Sequence, residues 1–204
     1  MVVLKSDYML EHPKSQVPLP MEQRTGLDNQ QESLACLEFA AGLVVGEGSF
    51  CFNIVRNNGR GLINPVFQLF MTDKETIDFF VYIMKKHDLP IYYYTRPAKG
   101  NSREQYGVRC HGVKRVKRVC ETLLPHLTGE KKAAASVTLS FCDHRLSLHE
   151  KAGYGPLDVE YVARLRMING QRTHNKVSLE DLPRILRDYT SDMGQLSPKD
   201  IVRA

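Results

Sequence analysis

One apolar segment, residues 37–50, constrains the fold more than any other part of the chain, because its pattern changes abruptly from helical to extended. The segment reads LEFAAGLVVGEGSF, and its helical part carries a stripe of small residues that an ordinary surface helix would not need. Small side chains let two helix backbones approach closely, and glycine also tolerates the dihedral angles of an exit turn. The segment therefore predicts a closely packed helix that leads directly into a strand.

A single carboxylate marks the end of that helix. Glu47 lies between Gly46 and Gly48, where the apolar pattern stops, and no basic residue lies nearby in the sequence. The helix macrodipole disfavours a negative charge at a C-terminus. Because a bound cation would reverse this penalty, the position predicts a metal-binding carboxylate.

Residues 40–48, read as AAGLVVGEG, resemble the LAGLIDADG motif of the homing endonucleases. Ala40 replaces the first leucine of the motif and Val45 replaces the first aspartate. Glu47 occupies the second acidic position, which is the catalytic one in the family. The Ser-Phe pair that follows also suits a family whose motif helix leads into a DNA-reading strand.

The order of predicted elements extends this resemblance over residues 33–127. A helix at 32–46 precedes strands at 49–57 and 62–71, which alternate apolar and polar residues and flank an Asn-Gly turn. A capping box at 72–75 opens a helix to about residue 87. Strands at 91–96 and 103–111 and a helix at 113–124 complete the series. This αββαββα order is that of the LAGLIDADG fold, an α+β class in which a curved antiparallel sheet lies as a saddle across DNA.

The resemblance extends more loosely to C-terminal helices at about 130–150, 157–169 and 178–189. Residues 1–30 are predicted to form a loosely ordered arm, residues 31–190 a single LAGLIDADG endonuclease domain, and residues 191–204 a tail. The sequence contains no second copy of the motif. In the family, a single copy implies a homodimer whose motif helices pack together, and here the predicted interface consists of Ala40, Ala41, Leu43 and Val44.

The homodimer would bring two copies of Glu47 side by side. Two such carboxylates repel each other unless divalent cations lie between them, so the resemblance implies Mg²⁺ or Mn²⁺ held by Glu47 and Gly46. The family also places a basic residue shortly after the third core helix, where this chain has Lys131 and Lys132, and the sequence does not decide between them. Asp73 takes the position of a polar residue that orders water near the metal, although it can equally serve to begin its helix.

Strand parity predicts the residues that read DNA. Apolar faces must pack on the helices, which leaves the polar face for a duplex. Asn and Gln suit adenine edges and Arg suits guanine, and a two-stranded ribbon fits the major groove. The predicted DNA-binding residues are Ser49, Cys51, Asn53, Val55, Asn57, Asn64, Gln68, Tyr92, Tyr94, Arg96, Gln105 and Arg109.

Composition is compatible with this interpretation without demanding it. The net charge of +5 suits a polyanionic partner, and the basic cluster 114–118 either contacts phosphates or is a solvated helix face. Five cysteines without paired spacing indicate reduced thiols and an intracellular protein, cytoplasmic, nucleoid-associated or organellar. With no apolar run of about 18 residues, no membrane span is expected.

The sequence thus predicts a homodimeric, metal-dependent endonuclease that cuts double-stranded DNA at a long pseudo-palindromic site, as intron-encoded homing enzymes do. The alternative is a non-cleaving protein on the same scaffold, either an intron-RNA maturase or a DNA-binding regulator. The departure at Val45 favours the alternative, and the retained carboxylate of Glu47 favours the endonuclease.

Overall fold

The computed structural model describes residues 26–57, 60–149, 152–170, 177–186 and 188–190. The chain divides into two compact units, residues 1–34 and 35–204, and the sheet and core described below belong to the second. The elements, in chain order, are α1 (Gly26–Glu47), β1 (Gly48–Asn57), β2 (Arg60–Met71), α2 (Lys74–Lys86), β3 (Tyr92–Arg96), β4 (Gln105–His111), α3 (Val113–Leu123), a 3₁₀ turn (Leu124–His126), α4 (Gly129–Ser147), α5 (Pro156–Ile168) and α6 (Leu182–Ile185). This is the predicted α+β order.

The four strands form one antiparallel sheet in the order β1-β2-β4-β3. In the first hairpin, Ser49 lies opposite Gln68 and Asn53 opposite Asn64. Strand β4 then pairs with the second half of β2, and β3 forms the outer edge beside β4. Both predicted hairpins are therefore confirmed, and their inner strands lie next to each other.

Helix α1 passes into β1 without a connecting residue, because Gly48 follows Glu47 directly. A Cβ atom added to Gly48 would lie 2.7 Å from both the carbonyl oxygen and the Cγ1 of Val44. Any side chain at this position would overlap the last turn of the helix. The glycine after Glu47 thus permits the sharp change from helix to strand, and it fixes where the carboxylate lies relative to the sheet.

The helices pack on one face of the sheet. Alternate residues of β1 and β2, among them Phe50, Phe52, Phe67 and Leu69, are buried against them in a single hydrophobic core. Helices α4 and α5 contact β1, and α2 and α3 contact β2 and β4. Because side chains alternate between the faces of a strand, this packing leaves the opposite, more polar face uncovered by the helices.

Helix α2 begins one residue later than the predicted capping box implies. Asp73, rather than Thr72, is the N-cap residue, and its carboxylate accepts a hydrogen bond from the backbone N–H of Glu75 at 3.2 Å. The hydroxyl of Thr76 also donates to this carboxylate. Asp73 therefore satisfies N–H groups that the first turn of a helix leaves without intrahelical partners.

The segment between α4 and α5 is tied to the core by Arg145. Its guanidinium donates to the carbonyl oxygens of Ala152 and Gly153 and lies 3.3 Å from the carboxylate of buried Asp158. Burial raises the pKa of Asp158, and the charge of Arg145 opposes that rise. The hydroxyl of Tyr154 accepts a hydrogen bond from the backbone N–H of Ile63, which links this segment to β2.

Some predictions about the two ends of the chain need correction. Others concern residues outside the described part of the structure. The predicted helix at 178–189 is wrong, since among the described residues of this range only Leu182–Ile185 is helical, and Leu186 instead forms an isolated parallel bridge with Gly61. Residues 26–30, predicted as part of the arm, are helical because α1 begins at Gly26. The rest of the predicted arm, 1–25, and the predicted tail, 191–204, lie outside the described residues.

The cysteines are free thiols, as predicted, and Cys110, Cys120 and Cys142 are buried. Burial raises the pKa of the Cys110 thiol to about 11 and that of the Cys142 thiol to about 12. These side chains act as small apolar core residues. In the part of the chain that the structure describes, no helix is both long enough and apolar enough to cross a bilayer.

Candidate nucleic-acid interface and catalytic residues

The strand register brings the predicted DNA-binding side chains together on the sheet face opposite the core, here called the polar face. Directly paired residues of adjacent strands project to the same side of a sheet. Asn57 has the same parity on β1, but its side chain lies outside the described residues. The predicted members of the polar face with described side chains are Ser49, Cys51, Asn53, Val55, Asn64, Gln68, Tyr92, Tyr94, Arg96, Gln105 and Arg109.

One row of residues crosses all four strands of the polar face. Ser49 pairs with Gln68, Gln68 with Arg109, and Arg109 with Tyr92. The Nη2 of Arg109 donates a hydrogen bond to the Oε1 of Gln68 at 2.8 Å. The guanidinium carbon of Arg109 also lies 5.9 Å from the centre of the Tyr94 ring. The two central residues of the row are thus joined by a side-chain hydrogen bond before any ligand binds.

A second arginine of the polar face is supported by an aromatic ring. The guanidinium of Arg96 lies over the Phe70 ring, 3.5 Å from its centre. Burial lowers the pKa of Arg96, and the like charge of Arg109 lowers it further. Phe70 was not predicted as part of the site, because it is apolar. The sequence signal that could have identified Phe70 is its position two residues after Gln68 on β2, because side chains two residues apart on a strand project to the same face.

Two more residues contact Tyr92 of the edge strand β3, and of these only His111 was missed by the sequence prediction. His111 stacks on Tyr92 with ring centres 5.7 Å apart, and the guanidinium of Arg115 lies 5.6 Å from the Tyr92 ring centre. His111 shares the parity of Arg109 on β4, and Arg115 belongs to the basic cluster at 114–118. Together they add cationic and titratable groups to the polar face beside β3.

The basic cluster at 114–118 is not uniform. Lys117 pairs with Asp143 and with Glu121, and Arg118 pairs with Asp88 at 2.9 Å. Both are therefore partly neutralised by carboxylates of this chain. Since Arg115 contacts the Tyr92 ring instead, it is the member of the cluster that the structure links to the polar face.

Cys51 gives the polar face a neutral thiol on its edge strand β1. Burial raises the pKa of this thiol, although the positive charge of Arg109 offsets part of the rise. Its sulfur lies 3.9 Å from the Oδ1 of Asn53, the long distance of a weak S–H hydrogen bond. Cys51 is thus a weak hydrogen-bond donor among stronger ones.

Glu47 lies at the junction of α1 and β1 with its side chain exposed. The last turn of α1 contains no basic residue, and among the described residues none forms a hydrogen bond or ion pair with this carboxylate. A negative charge at a helix C-terminus without a partner is unfavourable. Gly46, the other predicted metal ligand, is exposed beside it.

Lys131 reaches the same junction from α4. Its Nζ donates to the carbonyl oxygen of Gly48 at 2.6 Å, and its side chain is half-buried. Lys132 is exposed and has no such contact with α1 or β1 in the described part of the chain. The structure therefore brings Lys131, and not Lys132, to the residues that flank Glu47.

The predicted dimer interface needs correction. Ala40, Ala41 and Val44 are 0%, 1% and 0% exposed, because they form part of the core of this chain and are not available to a second subunit. Leu43 is half-buried at the edge of that core. Helical periodicity directs the other side of α1 outward, and its exposed residues are Glu38, Phe39, Gly42, Val45 and Gly46.

An exposed aromatic group continues the outer side of α1. Phe39 contacts Phe79 of α2 in an edge-to-face arrangement with ring centres 5.2 Å apart, and Phe79 stacks on Tyr82. These three side chains are 43%, 44% and 56% exposed, respectively. Exposed aromatic groups of this kind often mark contact surfaces. The sequence prediction missed them because it treated α2 only as a core helix.

The donor groups at the junction fit one half of a hard-cation site. Mg²⁺ prefers carboxylate, carbonyl and water oxygens, and Glu47 and the backbone of Gly46 offer the first two. Across the described residues, no group of three or more His, Cys, Asp or Glu side chains is placed to hold a metal. Mg²⁺ is often bound by one or two carboxylates together with waters and substrate phosphates, so the donors at the junction fit part of the ligand set of such an ion.

No protein-family model and no curated protein sequence matches the chain. Solved structures do match. One, the homing endonuclease I-CvuI in complex with the I-CreI target in the presence of Mg, superposes with a TM-score of 0.55 at 18% identity, covering 76% of this chain and 94% of that one. Another, the LAGLIDADG homing endonuclease I-LtrWI bound to target DNA, gives 0.52 at 18% identity and covers 81% of this chain and 54% of that one.

A third match, the LAGLIDADG homing endonuclease I-GzeII in complex with a DNA target, has a TM-score of 0.51 at 17% identity, with 74% of this chain and 50% of that one covered. The chain thus corresponds to nearly the whole of I-CvuI and to about half of the other two proteins. These similarities establish that the chain has the LAGLIDADG homing-endonuclease fold, as the motif at residues 40–48 predicted.

Proposed function

We propose that the chain is a site-specific endonuclease that cleaves double-stranded DNA with a divalent cation. The observation that carries the proposal is the exposed carboxylate of Glu47, unpaired among the described residues, with Lys131 held beside it at the α1–β1 junction. In the known structures of this fold reported above, the bound molecule is target DNA. A carboxylate and a lysine at the edge of a polar sheet face suit phosphodiester hydrolysis.

Each group has a distinct role in the proposed reaction. The Glu47 carboxylate and the Gly46 carbonyl would hold Mg²⁺, and a cation bound there would supply Lewis-acid activation of water and stabilisation of the leaving oxygen. The Lys131 ammonium, anchored by the Gly48 carbonyl, places a positive charge where the phosphate gains negative charge. Asp73 is given no catalytic role in this proposal. Its role as the N-cap residue of α2 accounts for its hydrogen bonds.

The polar face supplies the DNA-binding surface. It carries amide side chains at Asn53, Asn64 and Gln68 and guanidinium groups at Arg96 and Arg109, and these are the side chains that discriminate base edges in the major groove. A two-stranded antiparallel ribbon can enter that groove. Arg115 at the sheet edge is positioned for the phosphate contacts that supply much of the affinity.

We further propose that two copies act together through the outer side of α1. Gly42 and Gly46 lie there, and a Cβ added to either would meet nothing within 4 Å. Glycine inside a helix costs about 1 kcal/mol relative to alanine, and no contact with the described residues requires it at these positions. A second copy packed against α1 would make use of the glycines, cover Phe39 with its aromatic neighbours and bring a second Glu47 to the site.

The decisive test is cleavage of a randomised duplex library with Mg²⁺ by the wild type and by Glu47→Gln. Glutamine preserves the size of the side chain but removes its negative charge. We expect the wild type alone to release products, and the enriched site to be palindrome-like if two copies act together. Lys132→Gln, which alters an exposed residue away from the junction, is the matched control and should cut at the wild-type rate.

Equal cutting by the wild type and Glu47→Gln would exclude Glu47 from the reaction. Specific binding without cutting by either protein would favour the DNA-binding regulator, and specific binding of folded RNA alone would favour the maturase. These alternatives are included because Val45 replaces the first acidic residue of the motif.

The oligomeric state has its own test. Sedimentation velocity of the wild type should give a dimer, and Phe79→Ala should weaken the association, since the ring is 44% exposed on the proposed interface. Lys85→Ala, an exposed residue on the same helix, is the control and should leave the association unchanged. A wild type that stays monomeric at all concentrations, with and without DNA, would contradict the proposed dimer.

A further inference from the structure

The hydrogen bond between Gln68 and Arg109 determines which groups the centre of the polar face can offer. The bond joins the Nη2 of Arg109 to the Oε1 of Gln68 at 2.8 Å. Arginine has only N–H donors, so the atom of Gln68 that receives the bond must be its oxygen. The orientation of the Gln68 amide is therefore fixed by chemistry, and its NH₂ group is directed away from Arg109.

The pair consequently presents N–H donors. Both side chains are partly exposed, and no group among the described residues accepts a hydrogen bond from the NH₂ of Gln68. The second lone pair of Oε1 remains, but the guanidinium donors of Arg109 flank it. A base N–H directed at that oxygen would thus meet donors and positive charge, while a base acceptor would be attracted.

This changes the base preference expected of Gln68. A free glutamine recognises adenine by donating to N7 and accepting from the N6 amino group. With its oxygen engaged, Gln68 retains only the first of these contacts. Guanine presents two acceptors, N7 and O6, thymine presents O4, and cytosine and adenine both present an amino donor in the major groove.

We propose that Gln68 and Arg109 act as one specificity-determining unit that selects guanine and rejects adenine and cytosine at one base pair of each half-site. The inference rests on the proposed function, because it requires that the polar face reads duplex DNA. The unit is held in place within the protein by the hydrogen bond between its two members and by the Tyr94 ring, whose centre lies 5.9 Å from the guanidinium carbon of Arg109. Arg109 also leaves its buried Nε without a hydrogen-bond partner in the described part of the chain, which indicates that stability alone does not dictate this arrangement.

The test is a binding selection from a randomised duplex library without cleavage, using Ca²⁺ in place of Mg²⁺. When the selected sequences are aligned, each base position of the site forms one column. The wild type should enrich guanine at the column that Arg109 controls. Arg109→Ala frees the Gln68 oxygen, so adenine should replace guanine at that column. Gln68→Ala should keep guanine through Arg109 but reduce the discrimination. Arg96→Ala, which removes an arginine that does not contact Gln68, is the control and should alter a different column.

A second measurement uses the wild-type protein alone and so does not depend on whether the variants fold. Replacing the selected guanine by 7-deazaguanine removes the N7 acceptor and should weaken binding about tenfold. An unchanged affinity would overturn the proposal. Adenine at the wild-type column would overturn it too, as would columns for Gln68 and Arg109 that do not coincide. A folded wild type that enriches no sequence at all would instead refute the proposed DNA recognition, and with it this inference.

Discussion

The Nζ of Lys131 lies 2.6 Å from the carbonyl oxygen of Gly48, so a lysine of α4 is bonded to the residue that follows Glu47, 83 positions earlier in the chain. The sequence only slightly favours Lys131 over Lys132, because the two residues are adjacent. On a helix, however, adjacent residues point about 100° apart. The packing of α4 against β1 directs the first lysine to the junction and the second to solvent.

The first prediction follows from this contact. Lys131→Ala should lower the DNA cleavage rate about 100-fold or more, because it removes a positive charge beside the reacting phosphate. Lys132→Ala should change the rate little. Single-turnover cleavage with enzyme in excess measures the effect apart from product release. The idea fails if the two variants lose activity equally, or if only Lys132→Ala does.

Two glycines of the motif, Gly42 and Gly48, should respond differently when each is replaced by alanine. Gly48→Ala places a Cβ 2.7 Å from the backbone of Val44 and should lower the free energy of unfolding by about 2–3 kcal/mol. Gly42→Ala meets nothing within 4 Å and should raise the stability of a single chain by up to about 1 kcal/mol while weakening self-association. Urea denaturation and sedimentation velocity measure these two effects. A Gly42→Ala protein that dimerises as well as the wild type would show that α1 is not the interface.

This contrast also shows what the sequence can predict. The order of elements and the parity of each strand are local patterns, so the αββαββα core and the grouping of Gln68, Arg96 and Arg109 on one face follow from the sequence. The outer side of α1 does not follow from it. Alanine and glycine are both small, and only the packing of the helix into the core of its own chain distinguishes buried Ala40 from exposed Gly42.

The contacts within the polar face also lie beyond sequence reasoning. That Arg109 reaches Gln68, and that Arg96 lies on Phe70, depends on which strands are neighbours, and β2 pairs with β4 across about 40 residues. The resemblance to the family predicts a helix at 178–189. The pairing of Leu186 with Gly61 replaces that helix with extended chain, which is a tertiary contact overriding a local preference.

The buried thiols should make the free energy of unfolding fall as the pH becomes alkaline. The folded pKa of Cys110 is about 11, against 9.0 as the ordinary value, so the unfolded chain releases this proton first as the pH rises. The stability that the thiol contributes is fully present below pH 9 and is lost as the pH rises toward 11. By linkage, about 1.4 kcal/mol is lost between pH 8 and pH 10.

Cys110→Ala isolates this contribution from other groups that titrate in the same range. The free-energy difference between the wild type and the variant, measured by urea denaturation, should shrink by that amount between pH 8 and pH 10. Cys36→Ala, at a half-buried position, is the comparison. A difference that is constant with pH would show that the Cys110 thiol titrates alike in the folded and unfolded chains.

The last prediction concerns Arg96, whose guanidinium lies 3.5 Å from the centre of the Phe70 ring. The ring holds the arginine in one orientation before DNA binds, and a cation–π contact of this kind contributes about 0.5–1 kcal/mol at an exposed site. Phe70→Leu keeps an apolar side chain at this position but removes the π face. It should weaken DNA binding by about two- to fivefold, because binding must then order a mobile arginine.

Salt dependence separates this positioning effect from the loss of a charge. Phe70→Leu retains Arg96, so the slope of log affinity against log salt should equal that of the wild type. Arg96→Ala removes the cation and, if Arg96 contacts a phosphate, should reduce that slope by about one. A reduced slope in Phe70→Leu would mean that Arg96 has lost its DNA contact entirely, and an unchanged affinity would mean that the ring does not position it. Both variants alter the same pair of side chains, Arg96 and Phe70. Comparing them therefore tests whether Phe70 contributes to DNA binding only by holding the arginine in one orientation.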